Sequence, residues 1–147
     1  NDLHPQPAML PEDIQDRAIA RALSRFHDTR IEPVLRAYFG QVAPGIRNAD
    51  FIAQNAKLLQ HRYDQLNQMI TPSPLLMGNN LTLADCGFAP SFAILRCLQD
   101  LLGFDFVMPT GVAVFEKALV YHPSVCDEYD KYVEALEKWA SDKSADA

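Results

Sequence analysis

The chain has 147 residues, of which 48% are hydrophobic and 22% are charged, and its formal net charge is −6. This composition is typical of one globular domain and excludes extensive disorder, and no apolar run approaches the ~20 residues of a membrane-spanning helix. The acidic balance and the lack of clustered lysine and arginine argue against nucleic acid and anionic membrane surfaces as partners, because both require positive charge.

The two ends of the chain differ in composition from the middle. Pro5, Pro7 and Pro11 predict that residues 1–11 form an extended linker, because proline restricts the backbone of the residue before it. A helical domain is expected over residues 12–141, and the small, polar residues 142–147 predict a frayed tail. The lack of an initiator methionine indicates a fragment or a processed chain.

The first predicted helix starts near Glu12, where acidic side chains complement the positive end of the helix dipole. Pro33 is expected to kink this helix rather than end it, because it lacks an N–H and clashes with the carbonyl of Thr29, while apolar periodicity continues beyond it. The apolar stripe that predicts the inner face of this helix consists of Ile14, Ala18, Ile19, Ala22, Leu23 and Phe26.

The second predicted helix has the most regular pattern in the sequence. Its apolar residues recur in steps of four and three, which places them on one face of a helix of about six turns. The proline-containing stretch at 71–74 ends it. The stripe consists of Ile52, Ala56, Leu59, Tyr63, Leu66 and Ile70.

A third helix, apolar on all sides, is predicted to begin at Thr82 and to lie in the interior. Thr82 and Asp85 have the spacing of a capping box, in which the hydroxyl accepts the N–H of Asp85 and the carboxylate accepts the N–H of Thr82. Pro90 is expected to bend this helix, and Gly103 to end it. Because the capping bonds account for Asp85, we assign it no catalytic role.

Two more helices are predicted, from about Thr110 to Tyr121 and from Pro123 onward. No stretch shows the alternation of a strand or a hairpin turn. The predicted fold class is therefore all-α, a bundle of about five helices around a buried, N-capped central helix.

Motifs spread over most of the chain resemble the C-terminal helical domain of bacterial-type glutathione S-transferases. The stretch LTLADCGFAPSF, the later HPSV and the kinked segment FHDTRIEPVLRAYF are similar to segments of that family. HPQPAMLP is similar to its connector between domains. The resemblance implies that an N-terminal thioredoxin-like domain precedes this chain, which alone is not expected to be catalytic.

The same resemblance implies a role in glutathione conjugation by the full-length protein. The upstream domain would bind glutathione as co-substrate, and this domain would supply a wall for a hydrophobic electrophile and part of a homodimer interface. Phe26, Thr29, Arg30 and Pro33, at the kink, match positions that face the thiol in the family. One alternative is a non-catalytic relative that serves as a protein-binding or scaffold module, as in elongation-factor subunits and stringent-response regulators. Another is isomerase or dehalogenase activity within the same superfamily.

Other candidate chemistry is not supported by the residues themselves. The four histidines are too far apart to predict a metal site, and His27-Asp28 is a weak candidate for an oriented base because neighbours on an α-helix point apart. Cys86 and Cys97, on the apolar helix, are interpreted as inert thiols. The odd number of scattered cysteines, Cys86, Cys97 and Cys126, indicates a reducing compartment, and we expect a cytoplasmic protein.

Overall fold

The computed structural model describes residues 8–145 of the chain. Most of the predicted linker and the last two residues of the predicted tail lie outside this range. The α-helices are α1 (Ile14–Phe26), α2 (Glu32–Arg36), α3 (Ala49–Met69), α4 (Phe88–Leu102), α5 (Thr110–Val120) and α6 (Cys126–Ala145), and the shorter segments are a π-helix (His27–Ile31) and two 3₁₀-helices (Ala37–Gln41 and Pro44–Ile46).

The predicted all-α class is confirmed. Between residues 8 and 145 the only β-type pairing is one isolated bridge between Leu75 and Gly78. Helix α1, the π-helix and α2 follow one another without a break, so the described residues form five helical units apart from the 3₁₀-helices. None of the helices between residues 8 and 145 is both long enough and apolar enough to cross a bilayer.

Helix α4 is the centre of the bundle and packs against α2, α5 and α6. Its Phe88 and Phe92 are fully buried and meet Phe115 of α5 at ring-centroid distances of 5.3 and 5.8 Å. Tyr63 of α3 joins the same cluster, 6.4 Å from Phe92. Aromatic rings in such edge-on contacts add attraction to a large buried area, so this cluster dominates the core.

The predicted stripe of α3 is confirmed, because every residue in it from Ile52 to Ile70 is buried. The helix begins at an Asn48 N-cap, whose side chain accepts the N–H of Phe51 at 3.0 Å. Asn55 is also buried on this helix and donates to the carbonyl of Val34 at 2.9 Å. This bond fastens α3 to α2 just beyond the predicted kink.

The predicted inner face of α1 is wrong for four of its six residues, since only Leu23 is buried and Phe26 half-buried. Ile14 is 79% exposed and Ile19 is 49% exposed, while the buried residues of this helix are Ala20 and Leu23. The helix starts at Ile14 because the Asp13 side chain caps it, accepting the N–H groups of residues 15 and 16. An apolar face of α1 is therefore open to solvent in this chain.

Helix α4 starts later than predicted. It begins at Phe88, with Gly87 at the N-cap, and residues 83–87 form turns instead. Pro90 consequently falls in the first helical turn, where its missing N–H has no intrahelical acceptor to lose, and the predicted bend has no cause. Gly103 ends the helix as predicted, in the left-handed conformation at φ 66°.

The last helix is longer than predicted. Helix α6 runs to Ala145, so residues 142–145 of the predicted tail are helical. Its side chains are less buried than those of α4, and Ala140, at 8% exposure, is the one buried residue between Cys126 and Ala145. Trp139 packs against Phe39 with ring centroids 5.4 Å apart.

Candidate functional site

The predicted kink at Pro33 takes the form of a π-helix immediately before it. The N–H of Glu32 bonds to the carbonyl of His27, five residues back, rather than to that of Asp28. Pro33 has no N–H to give, and its ring would clash with the Thr29 carbonyl in a regular α-helix. The wider π-turn accommodates Pro33 without this clash. Such π-turns inside α-helices often mark functional sites.

The four predicted site residues lie in the segment 26–33, which contains the π-helix, and three of them are open to solvent. Thr29, Arg30 and Pro33 are exposed, whereas Phe26 is half-buried and packs against the core. The Thr29 hydroxyl donates to the carbonyl of Arg25 at 2.6 Å. Its proton is therefore engaged, and Thr29 can serve a ligand only as an acceptor.

Arg30 is the unpaired cation of the segment. In the range 8–145, no carboxylate lies within ion-pair distance of its guanidinium. Arg36, in contrast, is paired with Glu32. A guanidinium that is not already neutralised is available to bind a carboxylate or another anion with two parallel hydrogen bonds.

His27 is a buried polar residue of this segment that sequence reasoning undervalued. It is 5% exposed; its Nδ1 lies 2.9 Å from Asp28 Oδ1 and its Nε2 lies 2.8 Å from Ser91 Oγ. The argument that adjacent side chains point apart holds for a regular α-helix, and here the backbone is π-helical. The Ser91 contact joins residues 64 positions apart, which no local pattern reveals.

Thr82 and Asp85 form a buried hydrogen-bonded unit, but not at the N-cap of α4. The Thr82 N–H donates to Asp85 Oδ2 at 2.8 Å, as predicted. The predicted bond from the Asp85 N–H to the hydroxyl is absent; the Thr82 hydroxyl donates to Oδ2 at 2.9 Å and accepts the N–H of Ala84 at 3.3 Å. The second carboxylate oxygen accepts the N–H of Leu76 at 3.1 Å. The carboxylate thus ties the preceding loop to the turn that leads into α4.

Three surface clefts are lined by residues other than the four predicted ones. One of about 830 Å³ lies between α3 and residues 102–107, and one of about 860 Å³ lies between α4 and α6. A third of about 470 Å³ lies between α6 and residues 81–90 and includes Cys86. Among residues 8–145, no group of three or more histidine, cysteine or acidic side chains could hold a metal ion.

The thiols of α4 and of the turn before it are in environments that disfavour the thiolate. Cys86 is exposed at the residue level, but partial desolvation of its thiol and the nearby Asp85 carboxylate raise its pKa. Its Sγ lies 3.4 Å from the carbonyl of Thr82. Burial, Asp100 and Glu137 raise the pKa of Cys97. The thiolate is the reactive form, so neither residue has the character of a nucleophile.

We therefore expect iodoacetamide to alkylate Cys86 and Cys97 more slowly at pH 7.5 than it alkylates the same cysteines in short synthetic peptides. The raised pKa values leave a smaller thiolate fraction at that pH. The difference in rate between the folded protein and the peptides should become smaller as the pH rises toward 10. Mass spectrometry of peptides after timed quenching gives the rates. Alkylation of either folded thiol at the peptide rate at pH 7.5 would contradict the assignment.

Comparison with known proteins shows the fold. No protein-family model and no curated protein matches the sequence. Among solved structures, the chain is similar to a tau-class glutathione S-transferase from mango, Mangifera indica, with a TM-score of 0.66 and 22% sequence identity over 94% of this chain. The match covers 63% of the mango chain. The protein described here thus has the fold of a part of a glutathione S-transferase.

Proposed function

We propose that residues 12–141 form the helical domain of a glutathione S-transferase-like enzyme and supply the wall against which a hydrophobic electrophile binds. Glutathione is the co-substrate, held mainly by a thioredoxin-like domain that residues 1–11 connect to this one. The proposal combines the shared fold with the family motifs of the sequence. Part of the mango protein has no counterpart in this chain, which is consistent with such a second domain.

The observation that carries the proposal is the composition of the exposed segment around the π-helix. Phe26 offers an apolar ring at the segment's start, and Arg30 offers a guanidinium without an acidic partner in the described range. An apolar group beside a free cation suits an electrophile that is hydrophobic and gains negative charge as the thiolate of glutathione attacks it. Arg30 would stabilise that charge or hold a carboxylate of glutathione.

This division of labour follows from what the helical domain lacks. Attack by glutathione needs a bound and deprotonated thiol. Within residues 8–145 there is no β-α-β unit of the kind that a thioredoxin-like domain uses. We therefore assign no catalytic residue to this chain and expect the thiol-activating residue in the upstream domain.

The exposed apolar face of α1 supports the presence of a partner domain or subunit. Ile14 and Ile19 lie on this face, one of them 79% exposed. Covering these side chains on assembly would remove their apolar area from water, which is favourable. We propose that the upstream domain and a second copy of the protein cover α1 and the outer side of α3, giving a cytoplasmic homodimer.

In the full natural chain, Arg30→Ala should lower kcat/KM for a chromogenic electrophile by about tenfold, because it removes one charge-assisted interaction. Phe26→Ala should raise KM for apolar electrophiles about threefold by removing contact area. Steady-state kinetics at fixed, saturating glutathione measures both effects.

Lys138→Ala is the control, since Lys138 is also an exposed cation but lies on α6, away from the π-helix and from α1. Its kinetics should equal those of the parent. Unchanged kinetics for both Arg30→Ala and Phe26→Ala would remove these residues from the site. A full chain that neither binds immobilised glutathione nor turns over electrophiles would favour the non-catalytic scaffold instead.

A further inference from the structure

The ring of His27 is enclosed by groups from two distant parts of the chain. Ser91 Oγ on α4 lies 2.8 Å from Nε2, and the Asp28 carboxylate lies 2.9 Å from Nδ1. The ring of Phe88 meets it edge-on at a centroid distance of 4.8 Å. Gly87 completes the enclosure, because a Cβ at this position would lie 2.5 Å from Nδ1 and 2.6 Å from Cε1.

The hydrogen bonds around the ring have one self-consistent direction in the neutral imidazole. An ionised carboxylate is an acceptor only, so Nδ1 carries the proton and donates to Asp28. The lone pair of Nε2 then accepts the hydroxyl proton of Ser91. Both ring nitrogens are satisfied, and the ring is fixed in position and in tautomer.

Ser91, His27 and Asp28 contact one another in the order of a catalytic triad, yet the site does not fit nucleophilic catalysis. Ser91 is 3% exposed and lines none of the three clefts. A nucleophile must reach the substrate, and this hydroxyl faces the interior. The array is suited to holding the backbone rather than to chemistry.

We propose that the hydrogen bond between His27 and Ser91 is the positioning contact that holds residues 27–31 in the π-helical form. His27 opens the π-helix, and its carbonyl accepts the N–H of Glu32 that defines the wide turn. Ser91 lies on α4, the most buried helix of the bundle, and so provides a rigid anchor for the ring. By fixing His27, the contact also fixes the positions of Thr29 and Arg30. The effect of those positions on ligand binding rests on the proposed function.

The positioning role is tested by amide hydrogen exchange of the present chain, which needs no activity. Ser91→Ala removes only the hydroxyl and should speed exchange of the 27–32 amides by about tenfold, the cost of leaving a buried polar atom unpaired. Ser24→Ala, on α1 one turn before His27, is the control and should leave these rates unchanged. Equal rates in Ser91→Ala and Ser24→Ala would overturn the proposal.

Two further pairs of variants distinguish an effect of the hydrogen bond from an effect of packing alone. Gly87→Ala should push the ring away and reproduce the fast exchange, whereas Gly40→Ala, whose Cβ would meet nothing within 4 Å, should not. His27→Gln can still bond to Ser91 and should restore slow exchange relative to His27→Leu, which is similar in size but apolar. If leucine protects the segment as well as glutamine does, the hydrogen bond is not the positioning contact.

Kinetics of the full natural chain tests the link to the proposed site. Ser91→Ala should raise KM for the electrophile with kcat nearly unchanged, because the misplaced segment loses binding before it loses chemistry. Faster exchange with unchanged KM would overturn the link between the π-helix and the wall. A full chain without any glutathione-dependent turnover would refute the proposed function, and exchange alone would then decide the positioning role.

Discussion

Alanine at Phe92 should lower the free energy of unfolding by about 4 kcal/mol, because it removes a fully buried ring and leaves a cavity. The ring contacts three others, in Tyr63, Phe88 and Phe115, which belong to three helices. These neighbours cannot all move inward to fill the space. Urea denaturation followed by far-UV circular dichroism measures the loss, with the slope of the transition expected to stay the same.

Two companion variants make the measurement specific to the core. Phe92→Leu keeps most of the volume and should cost about 1.5 kcal/mol. Phe51→Ala removes the same ring from α3 at a site that is 37% exposed, and should cost about 1 kcal/mol or less. A Phe92→Ala variant as stable as Phe51→Ala would show that the aromatic cluster is not the centre of the fold.

The sequence predicted best those elements whose structure depends on local spacing. The apolar steps of α3 place Ile52 to Ile70 on one face, and a long helix with one apolar stripe has few other ways to pack. Gly103 is similar, since only a residue without a Cβ adopts the left-handed conformation without strain. In both cases the information lies within a few residues of the feature.

Helix α1 shows where periodicity fails. Ile14 and Ile19 fit an apolar stripe but are 79% and 49% exposed, whereas the buried residues of the helix are Leu23, from that stripe, and Ala20, from outside it. Hydrophobic periodicity identifies a face that avoids water without identifying what covers it. If the upstream domain or a second subunit covers α1, the stripe describes the assembled protein rather than this chain.

The candidate site was only partly predictable for a different reason. The sequence locates the distortion at Pro33, because the loss of an N–H is a local property. It does not specify a π-helix, which here accompanies contacts of His27 with Ser91 and Gly87, about 60 positions later in the sequence. The sequence signal that could have suggested this contact is a combination of residues. It consists of His27, shortly before the proline kink, with Gly87 and Ser91 at the start of the central helix.

Asp85→Ala should destabilise the protein by about 3 kcal/mol, more than a lost surface cap would. The Asp85 carboxylate is fully buried and accepts the backbone N–H groups of Leu76 and Thr82 together with the Thr82 hydroxyl. Without it, two buried N–H donors have no partner, and each costs about 1–3 kcal/mol. Water cannot easily take its place, because Thr82 is also buried. The same urea measurement applies.

The order of stability among variants tests how the carboxylate acts. Thr82→Ala removes one hydroxyl and should cost about 1 kcal/mol, whereas Asp85→Asn keeps one acceptor oxygen but turns an amide donor toward a backbone donor and should cost about 2 kcal/mol. Asp105→Ala, at an exposed acidic residue between two buried phenylalanines, should stay within about 0.5 kcal/mol of the parent. If Thr82→Ala costs as much as Asp85→Ala, the hydroxyl rather than the carboxylate organises the turn. Because that turn precedes α4, the loss of Asp85 should also speed amide exchange at Phe88 and Ser91, and so loosen the anchor of His27.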